Sequence, residues 1–424
     1  MIKNVLLLVI GIAIGAAVMF AKDFQTESAQ QISKNLALEE SFDAFSNAVS
    51  DAGVFVQQHQ WYESSLEQAE AYRHIMRALI SALEIKALGD PDFPFFHELN
   101  TFAKSGMDNS DQRYLITMLN GAAEYRISGH RGNSKRLDFT LYKAGSPMAS
   151  SFATLTTEQL HTDGNGHFEV FIGGEPRAQN WIPNDAGAPR LLIRQIHSDW
   201  ENESPGQLSI DRIDEERPLY PSMSPEKMAA KLRNATDWFA ADVRRWPELS
   251  RTRFSMLMPA NTLTPPQDTG KEGGLSGRWM VGGHFQLEDD EALLITAAPT
   301  DAAYQGIQIG HHWWESFDYA NRQSSLTADQ AQLSSDGKLY FVVSAKDPAV
   351  ANWLDNEGFN RGVVLMRYDG MSGALADEQK PQAKRVKIDE LSKYLPQDEP
   401  QINAEQRAAA IAIRRAHVQR RFGY

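Results

Sequence analysis

One segment of this chain is written twice, and that repetition constrains the fold more than any other feature. Leu155–Gln195, LTTEQLHTDGNGHFEVFIGGEPRAQNWIPNDAGAPRLLIRQ, returns as Leu326–Tyr368, LTADQAQLSSDGKLYFVVSAKDPAVANWLDNEGFNRGVVLMRY. Thr156, Gln159 and Gly166 match Thr327, Gln330 and Gly337 at one constant offset. Pro176, Asn180 and Trp181 match Pro348, Asn352 and Trp353 after a one-residue slip. The pleat agrees as well. Phe168, Val170 and Ile172 match Leu339, Phe341 and Val343, so the same alternate face is apolar in both copies. The repetition predicts a duplicated β-module as the body of the protein.

The flanking chain reads differently. Val5–Ala21 is an uncharged apolar run of 17 residues, preceded by Lys3. As a helix it would be slightly short of a bilayer core of roughly 30 Å. Charge placement predicts an inner-membrane, single-pass anchor with the body in the periplasm. The rival is a signal peptide cleaved to release a periplasmic protein. Gly11 and Gly15 have the spacing of two packed anchors, or are simply small residues of such a segment. Helical spacing recurs in Glu27–Gln60 and more strongly in Tyr62–Leu88, with Leu66, Tyr72, Met76 and Leu79 as the expected core stripe. Gly89-Asp90-Pro91 ends it, and Phe93–Phe96 is expected to strap the next domain.

Short strands are expected over Tyr125–Ser128, Arg136–Tyr142, His167–Ile172, Arg190–His197 and Gln207–Ile213. Ser224 and Pro225 suit the start of a helix reaching Trp246, with Pro247 past its end. Pro259–Gly277 reads as a loop, and its TGKE lacks the glycines of a phosphate-binding loop. Arg278–Leu287, Glu291–Ala298 and Gln305–Trp314 open the second β-module. Ala383–Gln401 reads as a linker and Asn403–Phe422 as a basic helix. Its Arg407, Arg414, Arg415, Arg420 and Arg421 suit either anionic lipid headgroups or the acidic body of the same chain.

These spans predict an α+β protein. A helical N-terminal region supports two related antiparallel β-sandwich modules, jelly-roll-like, behind a single N-terminal membrane helix. The expected boundaries are an anchor or signal segment over 1–22, a helical region over 23–107 and a first β-module over 108–217. A helix and linker follow over 218–277, then a second β-module over 278–372, then a linker and basic helix over 373–424. The net charge of −13 argues against nucleic acid as a partner. The chain has no cysteine, which removes disulfides, thiolate metal sites and a cysteine nucleophile.

The residues of the second module resemble a known family, the bacterial domain-of-unknown-function 1214 proteins. The likeness is densest from Ala292 to Tyr368. It rests on Ala292-Leu293-Leu294-Ile295, Trp314-Glu315-Ser316, Asp336-Gly337, Asp347-Pro348, Asn352-Trp353-Leu354-Asp355 and Arg367. A looser likeness covers Tyr72–Ile213. Ala349 and Ser110 depart from the pattern, where Gly and Pro are usual. The resemblance implies a β-rich domain and no established activity.

Three groups of residues are candidate sites. Asn180-Trp181 and Asn352-Trp353 are expected to be structural, the Asn closing a turn and the Trp lidding the core. Arg194 and Arg367 fall near matching strand positions, with Asp199 and Asp369 as expected partners. His311-His312-Trp313-Trp314-Glu315 is the most chemical-looking pentad. On a continuous strand His311, Trp313 and Glu315 share one face, with His312 and Trp314 on the other. An indole between an imidazole and a carboxylate suits a small ligand or glycan better than a metal, which would need His284 or Asp318 brought in by the fold. Neither a metal nor a cofactor is expected. No G-x-S-x-G elbow is present, and catalytic residues are not identified. The expected function is a membrane-anchored cell-envelope binding or accessory protein with a cleft at or between the β-modules. The alternative is a hydrolase-like envelope enzyme acting on a glycan or apolar small molecule.

Overall fold

The structure, a computed structural model, describes residues 38–143, 151–187, 189–269 and 277–423. The expected anchor or signal segment lies outside the described residues. Among them, no helix is long and apolar enough to cross a membrane.

Two helices open the described chain, α1 (Leu38–Gln58) and α2 (Ser65–Ala82). Ser64 and Glu67 cap α2 reciprocally, each side chain bonding the other's backbone N–H. The last turns of this helical stretch widen into a π-helix over Leu83–Leu88. The buried face of α2 is not the expected stripe. Tyr72 and Met76 are exposed, whereas Glu67, Glu70, His74 and Arg77 are buried beside Ala71, Ile75 and Ala78. A third helix, α3 (Pro225–Ser250), packs on both. Ser224 caps it as expected, but it continues through Pro247 into a π-helical turn over Arg251–Met256. Within Phe93–Phe96 only Phe96 packs on the first β-module, and Phe95 is exposed.

The first module holds β1 (His97–Leu99), β2 (Gln112–Met118), β3 (Tyr125–His130), β4 (Arg136–Tyr142), β5 (Ser151–Leu155), β6 (His167–Ile172), β7 (Trp181–Ile182), β8 (Arg190–Ile196) and β9 (Gln207–Arg212). The second holds β10 (Thr262–Leu263), β11 (Gln267–Asp268), β12 (Trp279–Gln286), β13 (Glu291–Ala297), β14 (Tyr304–His311), β15 (Glu315–Ser316), β16 (Ser325–Thr327), β17 (Leu339–Ser344), β18 (Trp353–Asp355), β19 (Arg361–Asp369) and β20 (Gln382–Lys387).

The two topologies correspond. The larger sheets run β1-β2-β8-β4-β5 and β10-β12-β19-β14, with β16 beside β14. The smaller sheets run β7-β6-β3-β9 and β18-β17-β13-β20. All pairings are antiparallel except β6–β7 and β17–β18. In each module one apolar core draws on both sheets, with Phe139, Ile193 and Val170 in the first and Ile307, Val364 and Phe341 in the second. Strand β20 lies in the stretch expected to be a linker. Its largely polar sequence, QAKRVK, pairs on one side only, with β13.

The repeated letters make the same bonds twice. Gln159 and Gln330 each accept from the N–H of the threonine three residues earlier, at 2.9 and 3.0 Å. The amides of Asn180 and Asn352 clamp the backbone N–H and C=O of His161 and Gln332. The indoles of Trp181 and Trp353 donate to the carbonyls of Gly173 and Ser344. Gly166 and Gly337 both take positive φ, at 83° and 77°. One expectation is corrected. Trp353 does not lid the core between the sheets. It lies on the outer face of its sheet with Tyr340 and Val350, and its neighbour Leu354 enters the inner core.

The last helix, α4 (Ala404–Phe422), lies on the body. Arg407 holds Asp347, Arg414 bonds the carbonyls of Tyr319 and Ser325, and Arg420 bonds Trp200. Of the two expected partners for these arginines, the body of the same chain is the one they contact.

Candidate functional site

The pentad is not a strand. Strand β14 stops at His311, a tight turn follows, and β15 begins at Glu315 and folds back on it. Trp314 makes the turn at φ 64°, a conformation rare for a bulky residue. The turn separates the three residues expected to share a face. His311 and Glu315 become cross-strand partners, both buried. Trp313 leaves them and enters the helical core, 1% exposed, among Val56, Ile75, Phe239 and Val243. An exposed stacking surface at Trp313 is therefore overturned. Trp314 packs against Phe254 on the other side.

The charged face of α2 explains where the pentad's polar groups go. Glu315 accepts from His74 Nδ1 at 2.7 Å and from Arg77. His311 Nε2 lies 3.4 Å from Glu70 and 3.7 Å from Glu315. Trp313 Nε1 donates to the Glu67 carbonyl, and the Glu67 carboxylate takes Arg361. The pentad thus docks the helical layer onto the second module through a buried ion network. His312 and His284 take no part in it. His312 stacks on Trp61 at 3.9 Å and bonds Ser250, and His284 bonds the Met258 carbonyl. Asp318 turns to Asn321 instead.

Glu70, His311 and Glu315 place three potential metal-ligand atoms within 4.8 Å of one another. Arg77, however, already bridges the same two carboxylates. Its fixed positive charge offsets one of their two negative charges and repels a divalent cation. The carboxylates are also poor bases. Burial pushes Glu315 upward, but Arg77, His74 and His311 outweigh it and hold its pKa at about 2. Burial likewise opposes, and His311 with Arg77 and Arg73 overcomes it, at Glu70, also about 2. A general base working near neutrality needs a value far higher.

These shifts fix a pH dependence. Both carboxylates have folded values near 2, against an ordinary 4.5. Their stabilising contribution is complete above about pH 4.5 and is lost as pH falls toward 2. His74 acts oppositely. Burial lowers its pKa but Glu315 raises it further, so its contribution is present below 6.5 and fades as pH rises through its folded value. Melting temperatures across pH 2–5 are expected to fall more steeply in the wild type than in Glu70→Gln.

A cavity of about 320 Å³ lies where the outer faces of the two larger sheets meet α3. Strand alternation places its residues. On β8, Leu191 and Ile193 point into the first core, leaving Leu192 and Arg194 for the cleft. On β19, Val364 and Met366 point into the second core, leaving Leu365 and Arg367. The arginines occupy equivalent positions. Leu155 pairs with Phe139 and Arg194 with the preceding Asp138. Leu326 pairs with Ile307 and Arg367 with the preceding Gly306. Each guanidinium then bonds the side chain two residues further along the neighbouring strand, Thr140 at 3.4 Å and Gln308 at 2.5 Å.

The expected carboxylate partners do not meet them. Asp199 turns to Asn202, and Asp369 is taken by Arg278 through two bonds of 2.6 Å. Arg194 and Arg367 are 7% and 5% exposed, and neither has a carboxylate partner among the described residues. The Nε of Arg194 has no hydrogen-bond partner there. Arg190, Arg245, Arg253 and Arg278 also line the cleft, against the carboxylates of Asp108 and Asp242. Asp108 is committed to Ser316, and Asp242 to Trp246, Ser105 and Arg245, the last an ion pair at 3.5 Å. Burial, opposed by Tyr142 and reinforced by Arg194 and Arg245, disfavours the charge on Arg190. Buried cations without counterions are costly, and an anion relieves that cost. In a chain of net charge −13 this concentration of arginine is local. Of the cleft residues, sequence reading singled out Arg194 and Arg367 by their repetition. Arg190, Arg245 and Arg278 carried no such signal.

No family model and no curated protein matches the chain. Among solved structures it is similar to an uncharacterized protein from Burkholderia cenocepacia, with 26% sequence identity and a TM-score of 0.75, over 82% of this chain and 97% of that one. It is also similar to the VPA0106 protein from Vibrio parahaemolyticus, with 15% identity and a TM-score of 0.43, over 74% of this chain and 97% of that one.

Proposed function

We propose that the chain is a cell-envelope binding protein whose ligand, an anion with an apolar body, occupies the cleft between the β-modules. The observation that carries this reading is the pair Arg194 and Arg367, buried, equivalent in the two copies and without carboxylate partners among the described residues. Around them Tyr142, Trp246, Met280 and Trp314 supply flat and apolar walls. Apolar walls with cationic groups set among them suit a small molecule that carries both an apolar body and an anionic group. The cleft holds no histidine, and its two carboxylates are bonded within the fold, which favours binding over chemistry. The envelope location rests on the apolar run Val5–Ala21. In the same reading each pair of sheets is a β-sandwich, the second being the part that resembles the domain-of-unknown-function 1214 proteins.

A second reading, an envelope hydrolase, draws on one observation. His311 and Glu70 border a cavity of about 560 Å³ together with Lys104 and Asp318. The locked carboxylates make it the weaker of the two.

The test compares small aryl or alkyl carboxylates with their methyl esters. The acids are expected to raise the melting temperature and the esters not. Arg194→Gln should weaken acid binding by about tenfold or more, the value of one charge-assisted hydrogen bond. Equal shifts for acid and ester would contradict the proposal, as would an unaffected variant.

A further inference from the structure

We infer that the ligand of the inter-module cleft is a dianion, an aliphatic or aromatic body with an acidic oxygen group at each end, one held by Arg194 and the other by Arg367. This rests on the anion-binding reading above. Its basis is the duplication itself. The two arginines arrive from different sheets, β8 and β19, at the same register position. A single anion can answer one and leave its duplicate buried without a countercharge. Two acidic groups answer both.

The surroundings divide in the same way. At the first-module end Arg190 joins Arg194, with Arg245 beside them paired to Asp242; among the described residues the Arg190 side chain has no hydrogen bond and rests over the rings of Tyr142 and Trp238. At the second-module end Arg278 is adjacent but is held by Asp369, whereas Arg367 donates only to the neutral oxygens of Gln308 and Met107, which leaves it as the cation without a bonded carboxylate. Burial and the neighbouring Arg278 disfavour its charge, and Asp369, already bonded to Arg278, offsets this only in part. Tyr114 is the cross-strand partner of Arg194 and also lies within electrostatic reach of Arg278 and Arg367. It links the two cationic ends. Leu192, Leu365, Met280 and Trp246 line the cleft with it and suit a carbon body. Guanidinium forks match carboxylate and phosphate alike. The acidic groups are therefore defined by charge and shape, not by their central atom.

The test is calorimetric titration of the full chain with α,ω-dicarboxylic acids of increasing length, their monomethyl esters, and bisphosphonates of the same lengths. One length of diacid is expected to bind about tenfold or more tighter than its monoester. Arg194→Gln and Arg367→Gln should each reduce the diacid to the level of the monoester. Equal binding of diacid and monoester at every length would overturn the dianion while leaving an anion-binding cleft. Absence of binding by carboxylate and phosphonate alike would overturn both. If either variant fails to fold, Arg190→Gln serves in its place. It should keep the wild-type melting temperature and weaken the diacid by about threefold, and an unchanged affinity would count against the proposal.

Discussion

Trp313→Ala is expected to destabilise the protein by about 3–5 kcal/mol. The indole is 1% exposed and belongs to the core of the helical layer, although its chain position is in the second β-module. It lies beside His59 and His74, at 5.3 and 5.7 Å between ring centroids. Truncation leaves a cavity among Val56, Ile75 and Phe239 and removes the bond to the Glu67 carbonyl. The loss should appear in chemical denaturation as a lower midpoint with the slope preserved. Affinity for carboxylates, measured below the transition, should change little, because Trp313 does not line the cleft. Loss of carboxylate binding at full stability would return Trp313 to a ligand surface.

Glu315→Ala should cost about 3–5 kcal/mol as well, for an electrostatic reason. The carboxylate is 1% exposed and holds both His74 and Arg77, themselves buried. Its removal strands Arg77 beside Glu70 alone and leaves the Nδ1 of His74 without its acceptor, with only the Val243 carbonyl remaining at Nε2. Glu315→Gln keeps hydrogen-bonding capacity and should be milder. The decisive pattern is a double-mutant cycle with Arg77. If Arg77→Met largely rescues Glu315→Ala, the cost is the uncompensated cation. Strict additivity would mean that the two residues do not act as a pair in docking α2 onto the second module.

Where structure and sequence pattern part, each departure has its own physical cause. On α2 the apolar stripe through Leu66, Tyr72 and Met76 faces solvent, because the buried face is built from Glu67, Glu70, His74 and Arg77. Apolar periodicity cannot reveal a face whose burial is secured by ion pairs. The pentad read as a strand because nothing in His-His-Trp-Trp breaks one. Its turn depends on Trp314 at positive φ, with its carbonyl accepting from Met107 at 2.6 Å, a contact set by the distant chain. Strand β20 was missed because a polar edge strand lacks the alternation of a half-buried one.

What repeats in the letters was legible. Strands β4 and β6 fall where alternation placed them. The Asn-Trp pairs perform one job twice, and Arg194 and Arg367 align in register. That the two arginines face one cleft was beyond the sequence, since it depends on how the two modules meet across α3.

The most direct measurement is anomalous diffraction from crystals soaked in 4-bromobenzoate. A bromine peak is expected within the cleft bordered by Trp246, Met280 and Leu365, with the carboxylate against Arg194 or Arg367. A carboxylate bound only in the cavity beside His311, or only on the outer surface, would contradict it.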